Sequence, residues 1–580
     1  MRLSSKRSKR SVVLSLVALV ALVSGFAVSQ GVSKGHVAHA AGINSYSGKL
    51  GNSAVAGTVN LASVPTSQAR ATGTSHIINF RGRPVNGVSA SAVSRSSTSR
   101  PSATNSGSST GTLLHNFIGV SAQDNKLAAG FDLEPPDEGL GTGNGYVFNI
   151  VNVTGIIYRT NGQIVRGAFP AYALFNESPT TNLSDPRTYY DKSTNAWFAT
   201  ILEYTIDAKT GFFTESHVDV AVNPSGNPTT TWTIYRIDTT DAGGTNPVNN
   251  AGCPCLADYP IFGIDQYNVY LSTNEFTANG TSFNGAQVYA ISKADLVSLS
   301  AIHFVHYGNL SIAGVIAYHL QPAITYSNPN AEYFMNSLDP NNTYDNRLGV
   351  WALTNRNKIN KGVIPTLTST VISSEAYAMP ANAITPPGFN PGLKMPTTGV
   401  VTADFDAMQE VEYINGHLYG ALNTSVNVPG SSVALDGIAW FDVTPTISGG
   451  TIDGATKVSA QGYVSKLGEY LMYPHINVAA NGVAAIVFTY GGPNTYLSAG
   501  YVVRSAHAKY FSGVLTAAAG AAPDNGFTDT AKFGGVGRWG DYSAGEIDPS
   551  GNGIWFATQY IAGTGDQYAN WSNRVFEVAV

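Results

Sequence analysis

Five aspartates open similar sequence units: Asp137, Asp185, Asp258, Asp406 and Asp541. Arg187 and Arg538 lie within three residues of two of them, and Arg347 in YDNRLGVW supplies a third guanidinium. Carboxylates brought together must be protonated, paired with a cation or solvated, so their convergence with arginines would outline a polar binding site. In such a site carboxylates accept hydrogen bonds from hydroxyls, a guanidinium grips an anion through paired N–H groups, and aromatic rings stack on sugar faces. Trp539 adjoins Arg538 and Asp541 and is the tryptophan expected to contact a ligand. A carbohydrate or other polar ligand fits this set best. The competing reading is local: each aspartate caps its own turn, and repeated caps would produce the same periodicity.

Other chemistry is less developed. Asp404, Asp406, Glu410 and Glu412 are dense enough to consider as an acid/base pair for glycosidic hydrolysis, which needs two carboxyls about 5 to 9.5 Å apart. With strict alternation all four share one face of a strand, the pattern of a solvated face. Cys253-Pro254-Cys255 leaves free thiols and a strained bridge both open. Zinc is not expected, because His303 and His306 have opposite parity on a strand. Gly107-Ser108-Ser109-Thr110-Gly111 matches a nucleophile-elbow pattern but lies in a low-complexity tract with no strand-to-helix context. No cofactor is expected, and calcium on the clustered carboxylates is a side hypothesis.

The elements that must position these residues are strands. From Leu114 onward short aromatic and β-branched runs alternate with Asn, Gly, Asp and Pro clusters, and no segment sustains a 3.6-residue period. One unit recurs seven times, marked by Asp137, Asp185, Asp258, Gln321, Asp406, Tyr473 and Asp541 at steps of 48 to 85 residues. Each step accommodates four strands, the spacing of propeller blades. The expected fold is all-β, a seven-bladed β-propeller over 114–580, with six or eight blades or two packed sandwiches as alternatives. Closure requires the chain ends to meet, so Arg574–Val580 and Leu113–Val120 are expected to share a sheet.

Composition narrows the class. The chain has 580 residues, 43% hydrophobic and only 12% charged, against a usual charged share of about 25%. Residues 1–40 read as an export signal: basic Arg2 to Arg10, an apolar run from Val12 to Val28, and small residues around Ala38-His39-Ala40. An uncleaved anchor is the alternative. Residues 41–113 form a Ser/Thr/Ala/Gly-rich arm carrying six basic residues and no acidic one. The arm is expected to be a disordered tether, with contact to anionic envelope polymers as a second role. Beyond residue 40 the chain holds 26 Lys+Arg against 37 Asp+Glu, which argues against nucleic acid as a partner. A monomer is expected.

At SDPRTYYDKSTNAWFAT, CLADYPIFGIDQYNVYLSTNEF and RWGDYSAGEIDPSGNGIWF the chain resembles secreted bacterial proteins with sialidase-like or BNR-type propeller repeats. The likeness covers about 114–580 and implies the fold. It departs from the family's Asp box, S-x-D-x-G-x-x-W, because Asp191 precedes Trp197 by six residues and Asp548 precedes Trp555 by seven. The F-R-I-P arginine motif is absent. Sialidase-like hydrolysis follows from the resemblance by fold analogy alone. Three functions therefore stand: an exported propeller binding a carbohydrate or polar ligand at one mouth of its channel, a glycoside hydrolase or lyase using axial carboxylates, and a structural propeller presenting loops to another protein.

Overall fold

The computed structural model describes residues 42–65, 111–243, 248–339, 344–506, 508–563 and 565–580. The expected export signal over 1–40 and residues 66–110 of the expected arm over 41–113 lie outside the described residues. Among the described residues no helix is long and apolar enough to cross a membrane.

Hairpins build the chain. Asn144-Gly145 and Asn415-Gly416 join neighbouring strands with positive φ at both residues, the two-residue turn whose twist matches that of paired strands. Among the described residues antiparallel pairing groups the strands into seven sets of four; three sets stand as separate sheets, one carries a fifth strand, and three are joined through their first strands into one fifteen-stranded sheet. Their first strands are Glu138–Gly143, Asn182–Asp191, Leu256–Ile264, Gln321–Thr325, Met408–Ile414, Tyr470–Val478 and Ala544–Ile547, opening blades 1 to 7 in order. Each first strand packs on the next, and that of blade 7 packs on that of blade 1, so the ring closes around these inner strands. In blades 3, 4 and 5 the inner strands also pair in parallel, at Ile264 with Ile324 and Ala323 with Val411, which narrows the channel there.

Seven apolar clusters fill the seven gaps between adjacent blades. Trp197 and Trp232 sit between blades 1 and 2, Trp351 between 3 and 4, Trp440 between 5 and 6, and Trp555 and Trp571 between 7 and 1. Burying one large apolar side chain is worth about 1.5–3 kcal/mol, and the wedge shape lets each sheet bury both faces. This arrangement excludes two packed sandwiches. Closure is covalently economical: Leu113–Ser121 pairs with Trp571–Ala579, so both ends of the propeller sequence complete blade 7. Although the Asp-box spacing is not met, Trp555 Nε1 donates to Asp548 Oδ2 at 2.9 Å across the hairpin.

Part of the basic arm is ordered, contrary to the expectation of a tether. Asn44–Tyr46, Lys49–Ser53 and Val55–Asn60 add a fifth strand to the outer edges of blades 4, 3 and 2 respectively. A strand of this composition needs no core of its own when three open sheet edges supply its hydrogen bonds. Gly51 permits the approach, since a Cβ there would strike the Phe304 ring. Leu61, fully buried, anchors the end of the strap between blades 1 and 2. Cys253 and Cys255 are joined as a disulfide.

Candidate functional site

All seven inner strands enter from the same end of the ring, and the residues at their entry form one mouth. Asp185, Tyr259, His319, Asp404 and Tyr473 there have φ between 44° and 61°. A side chain with a Cβ pays about 1–2 kcal/mol in this conformation. The strain is held by a repeated device, in which a side chain of one blade accepts the backbone N–H of the next blade's strained residue. Asn152 Oδ1 accepts from Asp185 N at 3.3 Å, and Asp185 Oδ2 from Tyr259 N at 3.2 Å. Asn274 Oδ1 accepts from His319 N at 3.1 Å, and Asn423 Oδ1 from Tyr473 N at 2.9 Å. Pro186, Pro260 and Pro474 follow three of these residues, and β-bulges at the same points turn the inner strands toward the axis.

Asp137, Asp185 and Asp541, from blades 1, 2 and 7, bring carboxylate oxygens within 4.8 Å of one another. They are 1, 3 and 7% exposed. Arg538 Nη2 stands 3.5 Å from Asp541 Oδ1 and keeps part of its side chain in solvent. Asn152 bridges the group: its Nδ2 donates to Asp137 Oδ2 at 3.3 Å and its Oδ1 accepts from Ser184 Oγ at 3.3 Å. Burial, and then the charges of Asp541 and Asp185, push the Asp137 carboxyl well above the ordinary range; Arg538 and Asn152 oppose this.

Below this group aromatic and charged side chains pack together on the axis. Tyr259 and Tyr542 meet edge to face at 5.3 Å, and Tyr259 Oη donates to the Asp541 carbonyl at 3.1 Å. Arg187 points into the axis rather than to the mouth, with Nη2 3.4 Å from Glu410 Oε1 and its guanidinium over the Tyr542 ring. Burial raises Glu410, while Arg187 pulls it down. Burial also holds the neighbouring His475 neutral, with its pKa lowered to about 3. Across the mouth, half-buried Tyr318 and Phe405 pack edge to face at 6.1 Å beside Asp404.

The sequence expectations divide accordingly. Asp137, Asp185, Asp541 and Arg538 come together, and Asp258 shares the neighbourhood of Tyr204 with Asp185. Asp406 instead lies near Asp339 and Asp345; burial first, and then the charges of these two, push its carboxyl well above the ordinary range. Arg347 is bound through two hydrogen bonds of 2.9 and 2.7 Å to Asp345, away from the three-carboxylate group. Trp539 is 2% exposed and faces the core, so only its carbonyl, accepting from Gln559, serves the mouth wall.

The solvated face expected for Asp404, Asp406, Glu410 and Glu412 is not formed. All four are buried: Met408–Ile414 is an inner strand enclosed on both faces, Asp404 and Asp406 lie in the segment before it, and a bulge between Met408 and Val411 breaks the alternation within it. Glu410 then reaches the axis, while Glu412 accepts from Asn477 at 2.9 Å. Sequence reasoning missed Asn152, Tyr259 and Tyr542. Tyr259 and Tyr542 each directly follow one of the repeated aspartates, Asp258 and Asp541, which is the signal that marks them.

Neither a protein-family model nor a curated protein matches this chain. Solved structures similar to it include a protein of unknown function from Dyadobacter fermentans, with 11% identity, a TM-score of 0.32, and 69% of this chain and 95% of that one covered. A Trypanosoma rangeli sialidase in complex with sialic acid matches at 9% identity and a TM-score of 0.33, over 75% of this chain and 59% of that one. An α-L-arabinofuranosidase from Fusarium graminearum matches at 8% and 0.33, over 80% and 97%. At these identities and scores the likeness adds nothing to what the seven blades already show, and no activity passes from those proteins to this one.

Proposed function

We propose that the chain is an exported β-propeller that binds a carbohydrate or similar polyhydroxylated ligand at its mouth. The observation that carries this reading is the convergence of Asp137, Asp185 and Asp541 from three blades, with Arg538 at the solvent boundary. Ionised carboxylates accept hydrogen bonds from sugar hydroxyls, and Tyr318 with Phe405 offers an aromatic surface on the same mouth. Strained backbone gathered at this end of the ring supports the reading, since such strain persists where binding geometry is held in place. Export is supported by the basic and apolar run of the first forty residues.

A glycan panel with product analysis tests it. Saturable binding without product release is expected, and failure of every carbohydrate to bind would overturn it.

Hydrolysis is the second reading, favoured by one observation. Asp137, whose carboxyl burial and its neighbours push upward, has two further carboxyls with oxygens within 4.8 Å, and paired carboxyls are what glycosidic hydrolysis uses. Product release that disappears in Asp185→Asn would establish it. The three carboxylates also supply the hard oxygen donors calcium takes, but Arg538 already places a positive charge beside Asp541. Excess chelator is therefore expected to leave the melting temperature unchanged.

A further inference from the structure

A cleft of about 430 Å³ lies outside the three-carboxylate group, on the same end of the ring. Its walls come from the connection between blades 4 and 5, the connection between blades 6 and 7, and the loop joining Gly553–Ile561 to Trp571–Ala579. Phe389 on the first wall is 54% exposed, the most exposed aromatic side chain among the described residues. Packing does not account for a phenyl ring left in water at the base of a short hairpin, where Phe389 pairs with Pro396 and Asn390 with Met395. Facing the cleft with it are Asn525, Asp566, Gln567 and Asn570.

These walls are fixed to one another. Asn390 Nδ2 donates to the carbonyls of Asn525 and Tyr568 at 2.6 and 3.0 Å, and Gly392 N donates to the Gln567 carbonyl at 2.9 Å. Asn570 accepts from Asn525 N at 3.0 Å and donates to the Pro523 carbonyl at 2.9 Å. The cleft is thus preformed, and a ligand would not bear the cost of ordering its loops.

The lining contains no lysine, arginine or histidine, and its one charged residue is Asp566. An anionic ligand is disfavoured, whereas an aromatic face with amide and carboxylate groups around it suits a neutral sugar ring. The same connection that supplies Pro523 and Asn525 to the cleft supplies Arg538 and Asp541 to the mouth.

We propose that this cleft is a second carbohydrate subsite, taking a neutral sugar residue of a linear oligosaccharide that also engages the mouth. The proposal deepens the ligand-binding reading and rests on it. The test uses the full chain and fluorescently tagged neutral β-1,4- and α-1,4-linked glucose oligomers of two to six residues. It compares wild type, Phe389→Ala and Asp185→Asn. For at least one linkage series, affinity is expected to rise with length, and Phe389→Ala is expected to weaken the hexamer about 3- to 10-fold while leaving the dimer unchanged. Because Phe389 is exposed, an unchanged melting temperature separates this effect from misfolding. Hexamer binding lost in Asp185→Asn but untouched in Phe389→Ala would overturn the cleft and leave the mouth. Binding weakened by Phe389→Ala but untouched by Asp185→Asn would keep the cleft and overturn the mouth. No binding of either series overturns the proposal.

Discussion

Arg187 lays its guanidinium 3.2 Å from the centroid of the Tyr542 ring, next in sequence to the mouth carboxylate Asp541. Glu410 stands on the guanidinium's other side, 3.4 Å away. The ion pair is buried, with both side chains at or below 10% exposure, so the desolvation cost of two charges is offset by their attraction and by the ring. A pair from blades 2 and 5 therefore meets on the axis.

Removing one partner leaves the other charged and buried. Arg187→Met is expected to destabilise by about 3–5 kcal/mol, and adding Glu410→Gln should recover much of that loss. Urea unfolding of the two single variants and the double variant measures the coupling. Simple additivity would refute the pair.

Asp137 gives the stability a pH signature. Its carboxyl is raised in the folded chain, chiefly by burial and then by Asp541 and Asp185. From an unfolded value of about 3.9 up to the raised value, the folded state binds the extra proton, so this group's contribution falls as pH increases. Asp137→Asn is neutral throughout and escapes that loss. Melting temperatures at pH 4, 6 and 8 should show the variant gaining on wild type as pH rises, and a constant difference would contradict the assignment.

Much of the fold was legible in the sequence because each blade repeats its own turn chemistry and aromatic strand, as Asp185-Pro186, Tyr259-Pro260 and Tyr473-Pro474 show. The pairing of Leu113–Ser121 with Trp571–Ala579 was readable from the need to close the ring. The site was legible only in part. Asp137, Asp185 and Asp541 occupy the repeated position and converge, but Arg187 and Glu410 are redirected by bulges that shift side-chain parity without a sequence marker. Arg347 was misplaced because Asp345, two residues away, binds it locally. The rim strap was hidden because strands that borrow an edge need no apolar alternation of their own.

That strap makes a further expectation. Deleting residues 42–65 uncovers the outer strands of blades 2, 3 and 4 and removes buried Leu61, which alone is worth about 1.5–3 kcal/mol. The truncated chain should melt at a lower temperature and scatter more light on standing. Unchanged melting and scattering would show that the strap contributes nothing.

Calorimetric titration distinguishes a ligand-binding mouth from a purely structural one. The glycan selected by the panel is titrated into wild type, Asp541→Asn and the exposed control Glu215→Gln. Loss of a charged hydrogen-bond acceptor should weaken binding by about 10-fold or more in Asp541→Asn, while Glu215→Gln binds as wild type does. An Asp541→Asn isotherm that overlays the wild-type curve would contradict ligand binding at the three-carboxylate mouth.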